Sequence, residues 1–292
     1  MIDKDEFDYL IKKNLVDMLG NGSFGYAIAG RPYDVYYNRE AYKKFIAEMQ
    51  SAKYNKFYNQ YNRGKGSELI GTDNRPPKMA SVASSSRFCY LALRDGCEQF
   101  SNSTNIIFEY GCRIKGVQAT ANLDAYLPEE KIYFEVKCHE IFDNHENILS
   151  KSYWKLLYGQ ENDFGFPYAE CPQITKFQFK LSDFGVEKRK ARFDVKQLLC
   201  HLLGIASQKD KSTPAKLVFL FFKPKMDLES EQRQVDAVFK ELKDEIKSIF
   251  SSKPIQNFTG KNNIKLSAIA EYSKVMEPLS KENIIVLYKA NI

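Results

Sequence analysis

Residues 105–140 read NIIFEYGCRIKGVQATANLDAYLPEEKIYFEVKCHE, and this segment sets the architecture around which the rest of the chain can be placed. It predicts three strands, at Asn105–Ile114, Ala121–Leu127 and Lys131–Glu140. β-Branched and aromatic residues are concentrated in these three runs, and turn-forming residues separate them. Because both connections are short, we expect the three strands to form an antiparallel meander.

Helices and further strands are predicted on either side of this meander. Ser84 to Ser86 can cap a helix that continues to about Phe100, and Asp194 can cap a helix that ends near Ala206. The continuous apolar run from Lys216 to Phe222 is typical of a strand covered on both faces. A helix at Glu229–Phe250 and a strand at Asn283–Tyr288 follow. Strands that alternate with helices predict an α/β fold, with a central mixed sheet flanked by helices.

The N-terminal part of the chain has a different character. Helical periodicity predicts helices at Asp3–Leu19 and Asn38–Tyr61, and the Gly- and Pro-containing stretch Asn62–Met79 reads as a linker. We therefore divide the chain into a helical N-terminal extension with its linker (residues 1–80) and a core with a C-terminal helix and strand (residues 81–292).

Composition excludes several classes of protein. The chain has 292 residues, 43% of them hydrophobic, and a net charge of +6, which is typical of a globular protein with a mild basic bias. No apolar run approaches the roughly 20 residues of a membrane span, and the start of the chain lacks the pattern of a secretory signal. The six cysteines include no CxxC pair. We expect a cytoplasmic protein without a membrane partner.

Charged residues on the meander form the candidate site. Glu135 and Lys137 share a face of the third predicted strand because side chains alternate along a strand. If the second turn is centred on the two glutamates after Pro128, Asp124 lies directly opposite Glu135. A first turn centred between Gly116 and Val117 likewise places Glu109 opposite Asp124. A slip of one residue in either pairing would move a carboxylate to the other face.

Three carboxylates on neighbouring strands repel one another unless a cation neutralises them. Oxygen ligands of this kind favour Mg²⁺ or Mn²⁺, which take further ligands from water and from substrate phosphates. Lys137 could orient or help to deprotonate the attacking water, and could stabilise charge on a phosphate. The residues therefore predict metal-dependent hydrolysis of a phosphodiester.

The sequence Asn122-Leu123-Asp124-Ala125, followed after ten residues by Glu135-Val136-Lys137, resembles the motif of the PD-(D/E)XK nuclease superfamily. Leu123 stands where the motif has proline. The predicted elements between residues 81 and 223 resemble the αβββαβ core of its restriction-endonuclease-like fold. Several branches of this superfamily carry a glutamine on the helix after the meander, and Gln197 matches it. His201 shares a stripe of that helix with Gln197.

The resemblance implies a Mg²⁺- or Mn²⁺-dependent DNA endonuclease, of restriction type. Asp124, Glu135, Lys137 and Gln197 would be its catalytic residues, and Glu109, Asp124 and Glu135 its metal ligands. The first acidic residue of the site comes more often, in this family, from the helix before the meander, where Asp95 and Glu98 are available. Glu98 is therefore the alternative to Glu109. A homodimer and a cognate methyltransferase stay open as partners.

A basic cluster precedes the glutamine-bearing helix. It consists of Lys188, Arg189, Lys190 and Arg192, and it predicts contacts with the phosphates of DNA. The rival interpretation is a nucleic-acid-binding module on the same fold that does not cleave. Uptake of a divalent cation would distinguish the two.

Overall fold

In the computed structural model, residues 3–19, 21–26, 36–63, 68–71, 76–96, 100, 103–208, 212–272 and 284–289 are described. The helices are α1 (Lys4–Leu19), α2 (Arg39–Met49), α3 (Asn55–Arg63), α4 (Ser85–Leu93), α5 (Trp154–Tyr158), α6 (Val195–Ala206), α7 (Glu229–Ser251) and α8 (Lys253–Lys261). The strands are β1 (Phe24–Tyr26), β2 (Tyr36–Tyr37), β3 (Ile107–Arg113), β4 (Thr120–Leu127), β5 (Ile132–Lys137), β6 (Ile148–Ser150), β7 (Lys176–Gln178), β8 (Ala215–Lys223), β9 (Ile264–Tyr272) and β10 (Ile284–Lys289). None of the helices in these ranges is long and apolar enough to cross a membrane.

The central sheet has the strand order β10-β9-β8-β5-β4-β3. Strands β3, β4 and β5 pair antiparallel, as expected for a meander, while β5, β8 and β9 are parallel and β10 returns antiparallel. This sheet confirms the predicted α/β class with a central mixed sheet and flanking helices. Along the chain the order of elements is α4, β3 to β5, β6, α5, β7, α6 and β8.

The pairing of the meander follows the registers predicted from its turns. Ala125 is opposite Phe134 on β5 and opposite Phe108 on β3, so both hairpins are centred where the sequence indicated. Continuing these registers by one residue puts Asp124 between Glu109 and Glu135. Glu109 itself has a left-handed backbone (φ 53°), which costs a residue with a side chain about 1–3 kcal/mol and persists only where the surrounding structure enforces it.

Helix α6 begins where predicted, because the Asp194 carboxylate caps it by accepting a hydrogen bond from the Gln197 backbone N–H (2.9 Å). It packs very closely on the meander. A Cβ atom at Gly204 would lie 2.7 Å from Cβ of Ala121 on β4 and 3.0 Å from Cβ of Cys112 on β3. The absence of a side chain at Gly204 therefore allows the close approach that brings the polar residues of α6 to the charged strands.

The N-terminal helices share the hydrophobic core with the sheet. Phe57 on α3 packs edge to face against Phe108 on β3, with ring centroids 5.0 Å apart. The predicted long second helix is divided into α2 and α3. In the predicted linker, Leu69 and Met79 are buried. This segment is thus packed against the protein where it is described.

The structure also contains elements that the sequence did not predict. Strand β9 extends the parallel part of the sheet beside β8, and the short helix α8 precedes it. The helix predicted to reach Phe100 ends at Leu93.

Candidate active site

The charged residues predicted on the meander line one cavity of about 410 Å³. Strands β3, β4 and β5, helix α6 and the loop before α4 all contribute to its walls. The side chains that line it and were predicted as site residues are Glu109, Asp124, Glu135, Lys137 and Gln197. The lining residues not predicted as site residues are Tyr36, Glu68, Lys78, Ser81, Ala83, Ser84, Ser85, Ser86, Asn122, His139 and Glu140.

Glu135 is at the centre of the polar contacts and is only 3% exposed. Its Oε1 accepts hydrogen bonds from Nζ of Lys137 (2.7 Å) and from Nε2 of Gln197 (2.6 Å). The first contact arises because the two residues alternate with Val136 along β5, and the second because α6 lies close to the sheet. The predicted association of Gln197 with the Glu-Val-Lys strand is present, and Gln197 fixes the orientation of the Glu135 carboxylate.

His201 lies one helical turn after Gln197 and supports the same region. Its Nε2 is 3.1 Å from the carbonyl oxygen of Asn122 and 3.5 Å from Oε2 of Glu135. Burial, together with the positive charge of Lys137, lowers the pKa of His201 to about 3. The ring is therefore neutral near pH 7, and Nε2 carries the proton because a carbonyl can only accept.

Asp124 is held against β5 by the backbone. Its Oδ2 accepts a hydrogen bond from the N–H of Val136 (2.7 Å), which ties the carboxylate of β4 to the strand that carries Glu135. Burial and the neighbouring charge of Glu135 raise the pKa of Asp124 well above its ordinary value. Glu135 shows the same direction, because burial raises its pKa more than Lys137 lowers it.

Glu109 completes the row of carboxylates across the three strands. Burial and the charges of Asp124 and Glu68 raise the pKa of Glu109 to about 8. A nearby cation would stabilise the ionised form of such a carboxyl and lower its pKa. Its left-handed backbone, within an otherwise regular strand, is the kind of strain that often accompanies functional sites.

Lys137 contributes an ammonium group to this row through its ion pair with Glu135 (2.7 Å). Burial lowers the pKa of Lys137, but the charges of Glu135, Glu140 and Asp124 raise it by more, so the pKa lies above its ordinary value. In this cation-free arrangement Lys137 is protonated at neutral pH. It can donate hydrogen bonds to a phosphate oxygen or to water.

Within the described residues, no group of three or more histidine, cysteine, aspartate or glutamate side chains is arranged to hold a metal ion. Mg²⁺, however, usually binds through one or two carboxylates and completes its shell with water and substrate phosphates. Neighbouring carboxylates with raised pKa values, oxygen donors and an open cavity of about 410 Å³ fit such an ion. Its one or two carboxylate ligands would come from Glu109, Asp124 and Glu135.

The basic cluster before α6 does not line this cavity. Lys188, Arg189 and Lys190 are exposed, and Lys188 forms an ion pair with Glu241 on α7. Their contact with DNA stays a prediction.

Arg192 requires a correction. It is 5% exposed, its Nε donates to Glu241, and its Nη1 donates to the carbonyl oxygens of Ile141 (3.2 Å) and Phe142 (3.3 Å). A buried guanidinium that is already hydrogen-bonded has no free face for a phosphate. The predicted phosphate contact of Arg192 is therefore wrong, since the residue joins α7 to the chain after β5.

Asp95, which was also available as the first acid, does not line the cavity. Asp95, after α4, forms an ion pair with Lys53 (2.6 Å) and accepts a hydrogen bond from the Tyr54 hydroxyl (2.9 Å). Glu98 lies outside the described residues. Glu68 and Lys78, which sequence reasoning assigned to a linker, are in the cavity wall instead. No spacing in the sequence relates them to the strands.

Comparison with family models, with curated proteins and with solved structures finds no match to this chain. A functional assignment therefore depends on the geometry of the cavity.

Proposed function

We propose that this protein is a divalent-cation-dependent DNA endonuclease that resembles the PD-(D/E)XK nucleases. The observation that supports it is the contact of Glu135 with both Lys137 and Gln197, beside Asp124 and Glu109, in one cavity. These residues come from four separate elements. An ordinary charge pair on a solvated sheet face would not be 3% exposed at its carboxylate, nor hydrogen-bonded to a helix of the next layer.

Each residue has a role that follows from its contacts. Gln197 holds the Glu135 carboxylate, and the backbone of Val136 holds that of Asp124, so that both can face a phosphate group from fixed positions. A divalent cation held by Glu109, Asp124 and Glu135 would supply positive charge to the reacting phosphate. Lys137 adds a hydrogen-bond donor for the phosphate or for the attacking water.

A restriction role is the more specific part of this proposal, and it rests on analogy with the family. One fold serves several biological roles, so repair or mobile-element nucleases are compatible with the same site. DNA as the substrate is supported by the exposed side chains of Lys188, Arg189 and Lys190 and by the net charge of +6.

A non-cleaving nucleic-acid-binding module is the second candidate. It is favoured by the ion pair between Lys137 and Glu135, because the ammonium already neutralises one of the carboxylates that would hold the cation. In such a module the acidic row would serve the structure alone.

The test is incubation of supercoiled plasmid, in several methylation states, with the protein and Mg²⁺, Mn²⁺ or EDTA. We expect nicking or linearisation with Mg²⁺ or Mn²⁺, none with EDTA, and loss of cleavage in Glu135→Ala and in Lys137→Ala. Glu129→Ala is a matched control, because Glu129 is exposed on the same hairpin. Circular dichroism establishes that each variant is folded.

Cleavage that survives in both site variants would contradict this active site. No cleavage on any substrate, with DNA still bound and no Mn²⁺ uptake by calorimetry, would favour the non-cleaving module.

A further inference from the structure

Glu68 is a buried carboxylate in the wall of the candidate active site. It is 6% exposed, and its Oε1 lies 2.7 Å from Nζ of Lys78. Its other oxygen, Oε2, is buried and has no hydrogen-bond partner among the described residues. A buried carboxylate oxygen without a partner costs about 1–3 kcal/mol, and a cation bound at this oxygen would offset that cost.

The position of Glu68 is set by a backbone contact with the residues before α4. Its carbonyl oxygen accepts a hydrogen bond from the N–H of Met79 (2.9 Å), which keeps Glu68 and Lys78 side by side. Glu68 and Glu109 line the same cavity, and the charge of Glu68 contributes to the raised pKa of Glu109. The carboxylate row of the meander therefore continues across the cavity onto this loop.

Charges in the cavity are neutralised unevenly. Lys78 pairs with Glu68 at one end, and Lys137 pairs with Glu135 at the other. In the described part of the chain, neither Glu109 nor Asp124 forms an ion pair with a lysine, arginine or histidine. Two carboxylates are thus left without a lysine between the two lysine-paired ones, where a divalent cation could supply positive charge.

We propose that Glu68 is a further ligand of the divalent cation in this cavity, that it shares the ion with Glu109, and that the Lys78 ammonium takes the place of the ion at Glu68 when no metal is bound. This inference rests on the proposed function, because it concerns the same cation. Lys78 suits this exchange, since its side chain is 52% exposed on a flexible stem and can turn to solvent without unfolding the loop.

Two substitutions should change metal affinity in opposite directions. Glu68→Gln removes a charged oxygen ligand. We expect the affinity for Mn²⁺ to fall about tenfold or more, because even the loss of a residue that only hydrogen-bonds to a metal ligand lowers metal affinity by this factor. Lys78→Met removes the competing ammonium, and we expect Mn²⁺ to bind several-fold more tightly. A general loss of structure cannot produce tighter binding, so the pair of variants separates a ligand from a merely structural residue.

The metal-free protein is titrated with Mn²⁺ alone at pH 7.5. The concentration of free Mn²⁺ is measured at each step by electron paramagnetic resonance. Glu129→Gln and Lys247→Met are matched controls, because each makes the same change of charge at an exposed residue that does not line the cavity. We expect both controls to bind Mn²⁺ like the wild type.

Unchanged Mn²⁺ affinity in Glu68→Gln, or no gain in Lys78→Met, would overturn the inference. If these variants behave as expected while plasmid is not cleaved, the cation site stands and the nuclease proposal fails. If the wild type cleaves with metal while Glu68→Gln binds Mn²⁺ normally, the nuclease proposal stands and this inference fails. A wild type that binds no Mn²⁺ overturns both.

Discussion

Replacing Glu109 with glutamine should stabilise the metal-free protein at neutral pH. The substitution keeps the size of the side chain and the left-handed backbone, so the strain at this position is the same in both proteins. What changes is the charge, because glutamine cannot ionise beside Asp124 and Glu68. The gain in stability should therefore depend on pH in a way that only a titrating group can produce.

The magnitude follows from the pKa of Glu109, which burial and the neighbouring carboxylates raise from 4.5 to about 8. For a raised carboxyl pKa, stability is fully present below the ordinary value and is lost as pH rises toward the folded value. Because pH 7 is about 2.5 units above the ordinary pKa, the stability lost by pH 7 is at most about 3.4 kcal/mol. Because Glu109 is partly exposed and solvent screens its charge, we expect roughly 1–2 kcal/mol.

The assay is urea denaturation of wild type and Glu109→Gln in EDTA at pH 5, 7 and 8.5. We expect the variant to be little more stable at pH 5, clearly more stable at pH 7, and most favoured at pH 8.5. Adding Mg²⁺ should stabilise the wild type more than the variant, since the ion offsets the charge that the variant lacks. Glu129→Gln controls for the loss of a surface charge.

The reasoning would be refuted by a gain of the same size at pH 5 and pH 8.5, which would point to packing or backbone effects. It would equally be refuted if the variant were no more stable than the wild type at any pH.

Two further predictions concern residues that contact the site or were reassigned by the structure. Arg192→Ala should lower the free energy of unfolding by about 1–3 kcal/mol, because it removes the hydrogen bond to Glu241 and leaves the buried carbonyl oxygens of Ile141 and Phe142 without this donor, and urea denaturation at pH 7 measures this. The salt dependence of DNA binding by the folded variant should not change, and a shallower dependence would restore Arg192 as a phosphate contact. Gln197→Ala should leave the protein folded but lower the rate of metal-dependent cleavage about tenfold or more, because Glu135 loses the amide that orients it. Single-turnover cleavage at saturating Mg²⁺ measures this, and a rate equal to wild type would show that Gln197 has no positioning role.

Local patterns were sufficient for the meander and for the helix that follows it. The registers that align Asp124 with Glu135 and Glu109 could be worked out from two turns, because side chains alternate along a strand and a hairpin turn fixes the pairing. Asp194 could be read as a helix cap because a carboxylate directly before an apolar periodic run satisfies free N–H groups. These are rules that act over a few residues.

Contacts between distant segments were beyond such rules. Glu68 is 41 residues before Glu109, in a stretch whose glycines and prolines indicate a loop, and only its burial against the cavity shows what it faces. Arg192 belongs to a basic run by sequence, yet α7 places Glu241 against it and removes it from solvent. Strand β9 was missed, and its parallel pairing with β8 joins segments that are remote along the chain.

By itself, then, the sequence determined the α/β class, the strand registers of the meander and the residues that carry charge on it, since periodicity, turn position and capping are local. Only the tertiary structure decided which of the charges share a cavity and which are bound by internal partners. The reason is that burial and long-range pairing depend on how helices and loops pack across the sheet, and this packing sets both the pKa of a carboxyl and its access to a ligand.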